Sequence, residues 1–332
     1  MKKLPEVNQS FEDLVKILIA PIRSKLLLTG IELKVFNALS EPKSADAVAQ
    51  AIGTHPRNTG VFLDSLTAID LLQKKNGLYR NSPITQAFLV EDSPTHLGAV
   101  LQQYHSATSL ENLSKLIKEG PPPTPETTFS EEMFAAVYAS SERVCDAPIM
   151  VDVVSELPEF PSFRKMLDLG GGPGLIGMAI VATHPSMKGV IFDLPPMVKV
   201  AETFIKEYGM EDRMEALGGD GFRDSIGEGY DLVLACSSIQ FFKDKLDSIV
   251  KKVYDALNPD GVFISYFSGL THEGTKPEIR VLELLSSALM GYDTSFNQGF
   301  VADSMLRVGF TSVRSRTLNT PWGPIDLDIA RK

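Results

Sequence analysis

Residues 167–174 read LDLGGGPG and join an apolar strand pattern to an apolar helix pattern. So many glycines in one turn let a ligand approach the backbone with no Cβ atoms in the way. Gly172, Gly174 and Gly177 also fit the G-x-G-x-x-G spacing of dinucleotide-binding proteins. The stretch therefore predicts a nucleotide-like ligand at the first turn of an α/β domain. It does not say which nucleotide-like ligand is bound.

Strand and helix patterns alternate from this turn towards the end of the chain. The strand patterns are KMLDLG, GVIFDLP, MEALGGD, YDLVLACSSI and GVFISYF. Two later segments, TSVRSRTL and GPIDLDIAR, are predicted to pair as strands around residues 320–323. Because such alternation builds parallel βαβ units, residues 161–332 are predicted to form a doubly wound α/β domain.

The front of the chain has a different pattern. Apolar residues recur at helical spacing over residues 11–39, where Pro21 predicts a break between two helices. Two further helix patterns and a hairpin pattern around Asn76-Gly77 follow. This order is typical of a winged helix. We therefore predict a winged-helix-like domain over residues 1–110 and connecting helices over residues 111–160.

Composition limits the partners and the compartment. The chain has 332 residues and a net charge of −10, while residues 1–110 are nearly neutral. This acidity argues against a nucleic acid partner. No signal peptide pattern and no run of 18 apolar residues occurs, and the five histidines lack metal-ligand spacing. Two cysteines do not make a disulfide framework. We expect a cytoplasmic protein that binds no membrane and no metal.

Three carboxylates bear on the identity of the ligand. Asp193 ends the second strand pattern, where it could accept hydrogen bonds from ribose hydroxyls. Asp168 precedes the glycines, where it could face a cationic amino-acid group. Asp220 follows the third strand beside Phe222 and could accept from an adenine amino group. Dinucleotide sites instead reserve backbone amides for a pyrophosphate. The carboxylates therefore favour a cationic cofactor, S-adenosylmethionine.

The segments LDLGGGPG, FDLPPMV and GGDGF together resemble plant caffeate-type and microbial small-molecule O-methyltransferases, including polyketide and bacteriochlorophyll-ring members. The resemblance covers most of the chain. It implies a seven-stranded Rossmann-like methyltransferase sheet and a front domain that forms a homodimer. It also implies a cofactor site that includes Asp168, Gly170, Gly172, Asp193, Leu194, Asp220, Gly221, Phe222 and Cys236.

The same resemblance implies a substrate pocket near the reacting methyl group. Its expected members are Phe129, Met133, His105, Phe241, Phe267 and Phe300. Phe129 and Met133 belong to a helix pattern before the cofactor domain. His105 lies where the front domain of such proteins reaches the substrate. The acceptor is expected to be a small aromatic or apolar molecule.

The sequence departs from the family at the position of its usual base. Many members have a histidine that removes the proton from the acceptor hydroxyl, and here that position is Gln240. A neutral amide is not a general base. Phe267 and Phe300 stand within about one residue of the two glutamates that orient the histidine, and Cys236 replaces a frequent Lys or Arg. These changes indicate an apolar pocket, and methylation of carbon or sulfur is an alternative to methylation of oxygen.

Methyl transfer from a sulfonium is an in-line displacement whose leaving group needs no assistance. Placing the acceptor about 3–3.5 Å from the methyl therefore supplies much of the acceleration. Gln240 is accordingly predicted to position the acceptor. Two alternatives stay open: a regulator that binds S-adenosylmethionine without catalysis, and a nicotinamide-dependent oxidoreductase.

Overall fold

A computed structural model of the protein describes residues 8–122 and 137–332. The chain divides into two compact units, Met1–Gln102 and Gln103–Lys332. Each unit has its own buried apolar core. None of the described helices is both long enough and apolar enough to cross a membrane.

The first unit consists of short helices and one hairpin. The helices are α1 (Glu12–Glu32), α2 (Val35–Ala38), α3 (Ala45–Ile52), α4 (Pro56–Ala68) and α5 (Pro83–Phe88), and the strands are β1 (Leu72–Lys75) and β2 (Leu78–Asn81). The strands pair antiparallel through a turn at Asn76 and Gly77, which both have positive φ. The helices and this hairpin confirm the winged-helix-like prediction.

Helix α1 corrects the predicted break at Pro21. The helix continues without interruption through the proline. Proline removes one backbone donor, and it usually kinks or breaks a helix at an interior position. Here strongly helical patterns on both sides hold the helix together. Its N-terminal two thirds are exposed although they are rich in apolar residues.

The second unit is built around the predicted sheet. Helix α6 (Gly98–Ala107) spans the boundary between the units. The later helices are α7 (Leu113–Glu119), α8 (Ala147–Ser155), α9 (Leu175–Thr183), α10 (Pro195–Glu207), α11 (Leu246–Ala256), α12 (Glu278–Leu289) and α13 (Phe300–Val308). The strands are β3 (Lys165–Leu169), β4 (Lys188–Asp193), β5 (Met214–Gly218), β6 (Tyr230–Cys236), β7 (Leu257–Phe267), β8 (Ser312–Thr320) and β9 (Gly323–Arg331).

Within the described residues, seven strands form one sheet in the order β5-β4-β3-β6-β7-β9-β8. Strands β3 to β7 are parallel, and β9 pairs antiparallel with both of its neighbours. Side chains of α8, α9 and α10 belong to one core cluster, and those of α11 and α13 belong to the other. This is the predicted doubly wound α/β fold.

The topology fixes where a ligand site belongs. The order reverses at β3, because the chain moves from β3 outward to β4 and β5 and then returns to β6 on the other side. Ligands of open α/β sheets bind at such a switch point, beyond the carboxyl ends of the strands. The loop at Gly170, the Asp193 carboxylate and Cys236 all follow or end strands at this edge.

Candidate functional site

The glycine loop follows β3 and turns tightly into α9. The backbone nitrogen of Gly170 donates to the Phe192 carbonyl at 2.7 Å. Gly170 has φ +67°, and a Cβ atom there would lie 2.5 Å from Cβ of Ser238. A side chain is therefore excluded both by conformation and by space. The Ser238 hydroxyl donates to the Leu169 carbonyl and fixes the turn after β6 against the loop.

Asp193 at the end of β4 contacts the same loop. Its Oδ2 accepts a hydrogen bond from the backbone N–H of Gly172 at 2.7 Å. Its Oδ1 accepts from the backbone N–H of Leu194 at 2.6 Å. The structure thus brings together three predicted cofactor residues at the switch point of the sheet.

Asp168 is buried within the fold of the glycine loop. Its Oδ2 accepts from the backbone N–H of Gly177 in the first turn of α9 at 3.1 Å. Burial raises the pKa of this carboxyl to about 7, and the charge of Asp193 contributes in the same direction. The carboxyl therefore holds the loop against the helix, and its contact with a cationic group of the cofactor stays a prediction.

Two further carboxylates, which the sequence reading missed, lie on a π-helical turn at Glu142–Asp146 before α8. Oε2 of Glu142 accepts from the backbone N–H of Leu175 at 3.1 Å, at the start of α9. Burial and the charges of Asp168 and Asp146 raise the pKa of Glu142 well above its usual range. Single π-helical turns inside helices occur frequently at functional sites.

Asp146 completes what we call the acidic cluster, defined as Glu142, Asp146 and Asp168. The Tyr266 hydroxyl donates to Asp146 at 3.3 Å, and burial raises the pKa of this carboxyl to about 6. Burial raises the pKa of the Cys236 thiol, and the charges of the three carboxyls raise it further. Among residues 8–122 and 137–332, no Lys, Arg or His forms an ion pair with the cluster. No described basic side chain therefore balances the charge of these carboxyls when they ionise.

The segment after β5 forms a compact turn. Oδ1 of Asp220 accepts from the backbone N–H of Phe222 at 2.8 Å, and Nε of Arg223 lies 3.4 Å from Oδ2. The Phe222 ring is 40% exposed and packs edge-on against Phe242 at 4.9 Å. A Cβ at Gly221 would lie 2.9 Å from the Phe242 ring. The turn thus presents a carboxylate and a partly open aromatic ring beside the Asp193 strand.

Gln240 lies on a 3₁₀ helix, Ile239–Lys245, that follows β6. Its Nε2 donates to the Ser237 carbonyl, which fixes the orientation of the amide. Its Oε1 is buried and has no hydrogen-bond partner within the described part of the chain. Buried polar atoms are normally hydrogen-bonded, so this acceptor atom is a candidate contact for a ligand. The adjacent Phe241 ring is 65% exposed.

Two of the predicted pocket residues belong to an aromatic row. Phe267 packs edge-on against Phe296 at 5.6 Å, and Phe296 stacks on Phe300 at 5.3 Å. The His105 side chain is exposed, whereas the adjacent Tyr104 donates to Glu283. The predicted residues Phe129 and Met133 lie outside the described residues.

The chemistry available at this site comes from oxygen acceptors, backbone amides and aromatic faces. The described residues include no group of three His, Cys, Asp or Glu side chains arranged to hold a metal ion. Carboxylates without a balancing cation attract a positively charged ligand. The described residues thus place buried carboxyls and aromatic side chains near the carboxyl ends of the strands.

Comparison with protein families gives two matches. A model of the O-methyltransferase domain matches residues 125–285. A model of the O-methyltransferase dimerisation domain matches residues 16–91. The two matched regions fall on either side of the boundary between the compact units.

Individual relatives are more distant. The chain is 26% identical to the N,N-dimethyltransferase OxyT of Streptomyces rimosus over 85% of each protein. It is 25% identical to the tetracenomycin polyketide synthesis 8-O-methyl transferase TcmO of Streptomyces glaucescens over 96% of each. Human N-acetylserotonin methyltransferase, solved in complex with SAM, is similar with a TM-score of 0.80 and 22% identity over 99% of each chain. That structural likeness establishes the shared fold.

Proposed function

The chain belongs to the O-methyltransferase family, and from that premise we propose that it methylates a small aromatic or apolar molecule without a histidine base. The cofactor of this family is S-adenosylmethionine, which supplies an electrophilic methyl group when it is bound. The observation that carries the proposal is the acidic cluster beside the glycine loop, together with the orphaned amide oxygen of Gln240.

The acidic cluster suits a cation. S-adenosylmethionine has a sulfonium and an α-ammonium group, whereas NADH has a negatively charged pyrophosphate. Burial of Glu142, Asp146 and Asp168 without a balancing side chain raises their pKa values, and a cation in contact with them would lower those values again. A pyrophosphate would raise those values further and would meet no cation in the cluster. The cluster therefore supports the methyl donor over a nicotinamide cofactor.

The remaining cofactor contacts follow the strand ends. Gly170 and Gly172 would border the methionine part, since neither presents a side chain to the ligand. Asp193, held in place by its two backbone bonds, would accept from the ribose hydroxyls. Asp220 and the open face of Phe222 would receive the adenine. Leu194 and Cys236 would line the space between these contacts.

Gln240 would act on the acceptor by position. Its Oε1 would accept a hydrogen bond from an O–H or N–H of the acceptor, while its Nε2 stays bonded to Ser237. Because an amide takes up no proton near neutral pH, the acceptor must either be acidic or react as a neutral atom. The names of two relatives include an N,N-dimethyltransferase and an 8-O-methyl transferase. Oxygen, nitrogen, carbon and sulfur acceptors are therefore all included in the test.

The first unit would form a homodimer. It matches the O-methyltransferase dimerisation domain, and α1 exposes apolar side chains that a monomer would leave in water. They include Leu14, Ile17, Leu18 and Ile22. A contiguous exposed apolar surface of this kind marks an interface between proteins.

The proposal is tested by incubating the purified protein with methyl-labelled S-adenosylmethionine and a panel of phenols, amines, thiols and electron-rich rings. Mass spectrometry should find a product 14 mass units heavier, and S-adenosylhomocysteine should form in equal amount. Cofactor binding with no transfer to any member would favour the non-catalytic regulator. Binding of NADH in place of S-adenosylhomocysteine would refute the cofactor assignment.

A further inference from the structure

Arg280 on α12 is a cation buried among aromatic side chains. Its guanidinium carbon lies 4.7 Å from the centre of the Phe267 ring. The Arg280 side chain is only 17% exposed. Phe267 begins the aromatic row that also contains Phe296 and Phe300. The charge is therefore placed at the aromatic pocket expected to receive the acceptor.

The hydrogen-bonding capacity of this guanidinium is mostly unused. Nη1 contacts Oε2 of Glu283 at 3.4 Å, which is long for a charge-assisted hydrogen bond. Glu283 is shared, because its Oε1 accepts from the Tyr104 hydroxyl at 3.1 Å. Nε of Arg280 is buried and has no partner within the described residues. Since a guanidinium has five N–H donors, the pair with Glu283 leaves donors for another acceptor.

Both members of the Arg280–Glu283 pair contact an aromatic side chain. The Tyr104 ring packs against Trp322 at 5.8 Å between ring centres. Burial raises the pKa of Tyr138, the charge of Glu283 raises it further and that of Arg280 lowers it, so this phenol also lies within electrostatic range of the pair. Arg280 is therefore flanked by the Phe267 ring and paired with a carboxylate that Tyr104 also binds.

We propose that Arg280 binds a carboxylate of the acceptor molecule, so that the substrate is an aromatic acid. The planar fork of a guanidinium matches the two oxygens of a carboxylate, and Glu283 holds the fork in place from one side. The aromatic row would contact the ring of the substrate. This inference rests on the proposed function, because it names the acceptor of the same methyl transfer.

The test uses matched acids and amides as probes. They are 4-hydroxybenzoate with 4-hydroxybenzamide, and 1-hydroxy-2-naphthoate with 1-hydroxy-2-naphthamide. Binding to the protein saturated with S-adenosylhomocysteine is measured for the wild type, Arg280→Gln and Arg307→Gln. Arg307 is a control because it pairs at the surface with Asp247 at 2.7 Å. The wild type and Arg307→Gln should bind at least one acid roughly tenfold tighter than its amide, a difference typical of a charge-assisted contact. In Arg280→Gln this preference should disappear.

A second measurement keeps the inference testable if Arg280→Gln does not fold. Selective ¹⁵N labelling of arginine gives Nε–H signals, and the Arg280 signal is assigned by its loss in Arg280→Lys. In the wild type, the preferred acid should shift this signal and slow its exchange with water, whereas the amide should not. Three outcomes would overturn the inference. They are equal binding of acid and amide, a preference that survives Arg280→Gln, and no response to any acid at millimolar concentration. Calorimetry on the same samples measures their binding of S-adenosylhomocysteine. Intact binding of this product with no response to the acids means that the inference fails, whereas loss of this binding means that the proposed function fails.

Discussion

Oδ2 of Asp193 lies 2.7 Å from the backbone nitrogen of Gly172, so the end of β4 and the glycine loop are joined by a hydrogen bond. The second oxygen is held by the N–H of Leu194 at 2.6 Å. These two bonds fix the carboxylate in one orientation before any ligand arrives. A preorganised acceptor loses little entropy on binding, which favours affinity.

Asp193→Ala should therefore weaken binding of S-adenosylhomocysteine by about 1–3 kcal/mol, the usual cost of losing hydrogen bonds to a charged group. Calorimetry measures the change. Asp212→Ala, at an exposed turn residue of the same type, should leave the affinity unaltered. Equal affinities of wild type and Asp193→Ala would remove Asp193 from the cofactor site.

The stability of the unliganded protein should fall as pH rises from about 5.5 to 7.5. The pKa of Asp168 is raised to about 7 and that of Asp146 to about 6, whereas both lie near 3.9 in an unfolded chain. Over this range the folded state holds protons that the unfolded state has lost, so the slope of stability against pH is negative. The expected loss is on the order of 2 kcal/mol.

Asp168→Asn isolates this effect, because the amide is neutral at every pH and its oxygen still accepts from Gly177. Denaturant unfolding at several pH values should show a shallower pH dependence in Asp168→Asn than in the wild type. Asp255→Asn, at an exposed carboxyl, is the matched control. Parallel curves for the wild type and Asp168→Asn would contradict the buried-acid account.

Gln240→His should not raise the rate of methyl transfer. General-base catalysis is typically worth about 10²–10⁴-fold, but a new imidazole would lack the two glutamates that orient the family's histidine, since Phe267 and Phe300 stand near their positions. Gln240→Ala should reduce the rate by loosening the acceptor, because a misplacement near 1 Å can cost about 100-fold. Single-turnover transfer across pH compares these two variants with the wild type.

A large gain in Gln240→His, with a new pH dependence near the imidazole pKa of about 6.5, would contradict that expectation. It would show that the acceptor requires a base and that the natural site has lost one. A rate unchanged in Gln240→Ala would show that the buried Oε1 does not position the acceptor.

Disruption of the exposed apolar surface of α1 should dissociate the dimer. Ile17 and Leu18 are 68% and 74% exposed, and an arginine at each would place charge in the interface. Light scattering should give about twice the chain mass of 36.3 kDa for the wild type and the single-chain mass for Ile17→Arg/Leu18→Arg. Ile117→Arg on α7, a site with 67% exposure in the second unit, should remain dimeric. A wild-type mass of one chain at micromolar concentration would exclude the dimer.

Much of the fold could be predicted because periodic patterns encode it locally. The strand patterns, the turn at residues 320–323 and the glycine loop all reflect short-range chemistry. Pro21 was misread because its effect depends on the helical residues on both sides, which outweigh the loss of one donor. The winged-helix-like front was recognised from the order of its elements.

The site was only partly predictable. Asp193 and Gly172 lie at positions where strand ends must meet, so sequence spacing identifies them. Glu142 and Arg280 are distant in sequence from the glycine loop, so long-range packing determines where they lie. Glu142 is 33 residues before Leu175, whose backbone N–H it accepts from. Arg280 is on α12, which follows β7. The local signal was the spacing of Glu142 and Asp146, two acids four residues apart in a predicted helix.

The central claim is that the acidic cluster receives a cationic cofactor. Titration with S-adenosylmethionine at pH 6.5, in buffers of different ionisation enthalpy, measures the protons released on binding. Because the pKa of Asp168 is about 7 without ligand, about three quarters of these carboxyls are protonated at pH 6.5. A bound cation lowers this pKa, so Asp168 should release most of one proton per site, and affinity should rise between pH 6 and 8. Asp168→Asn should release fewer protons than the wild type when it binds the cofactor. Binding with no proton release and with an affinity independent of pH would contradict the account.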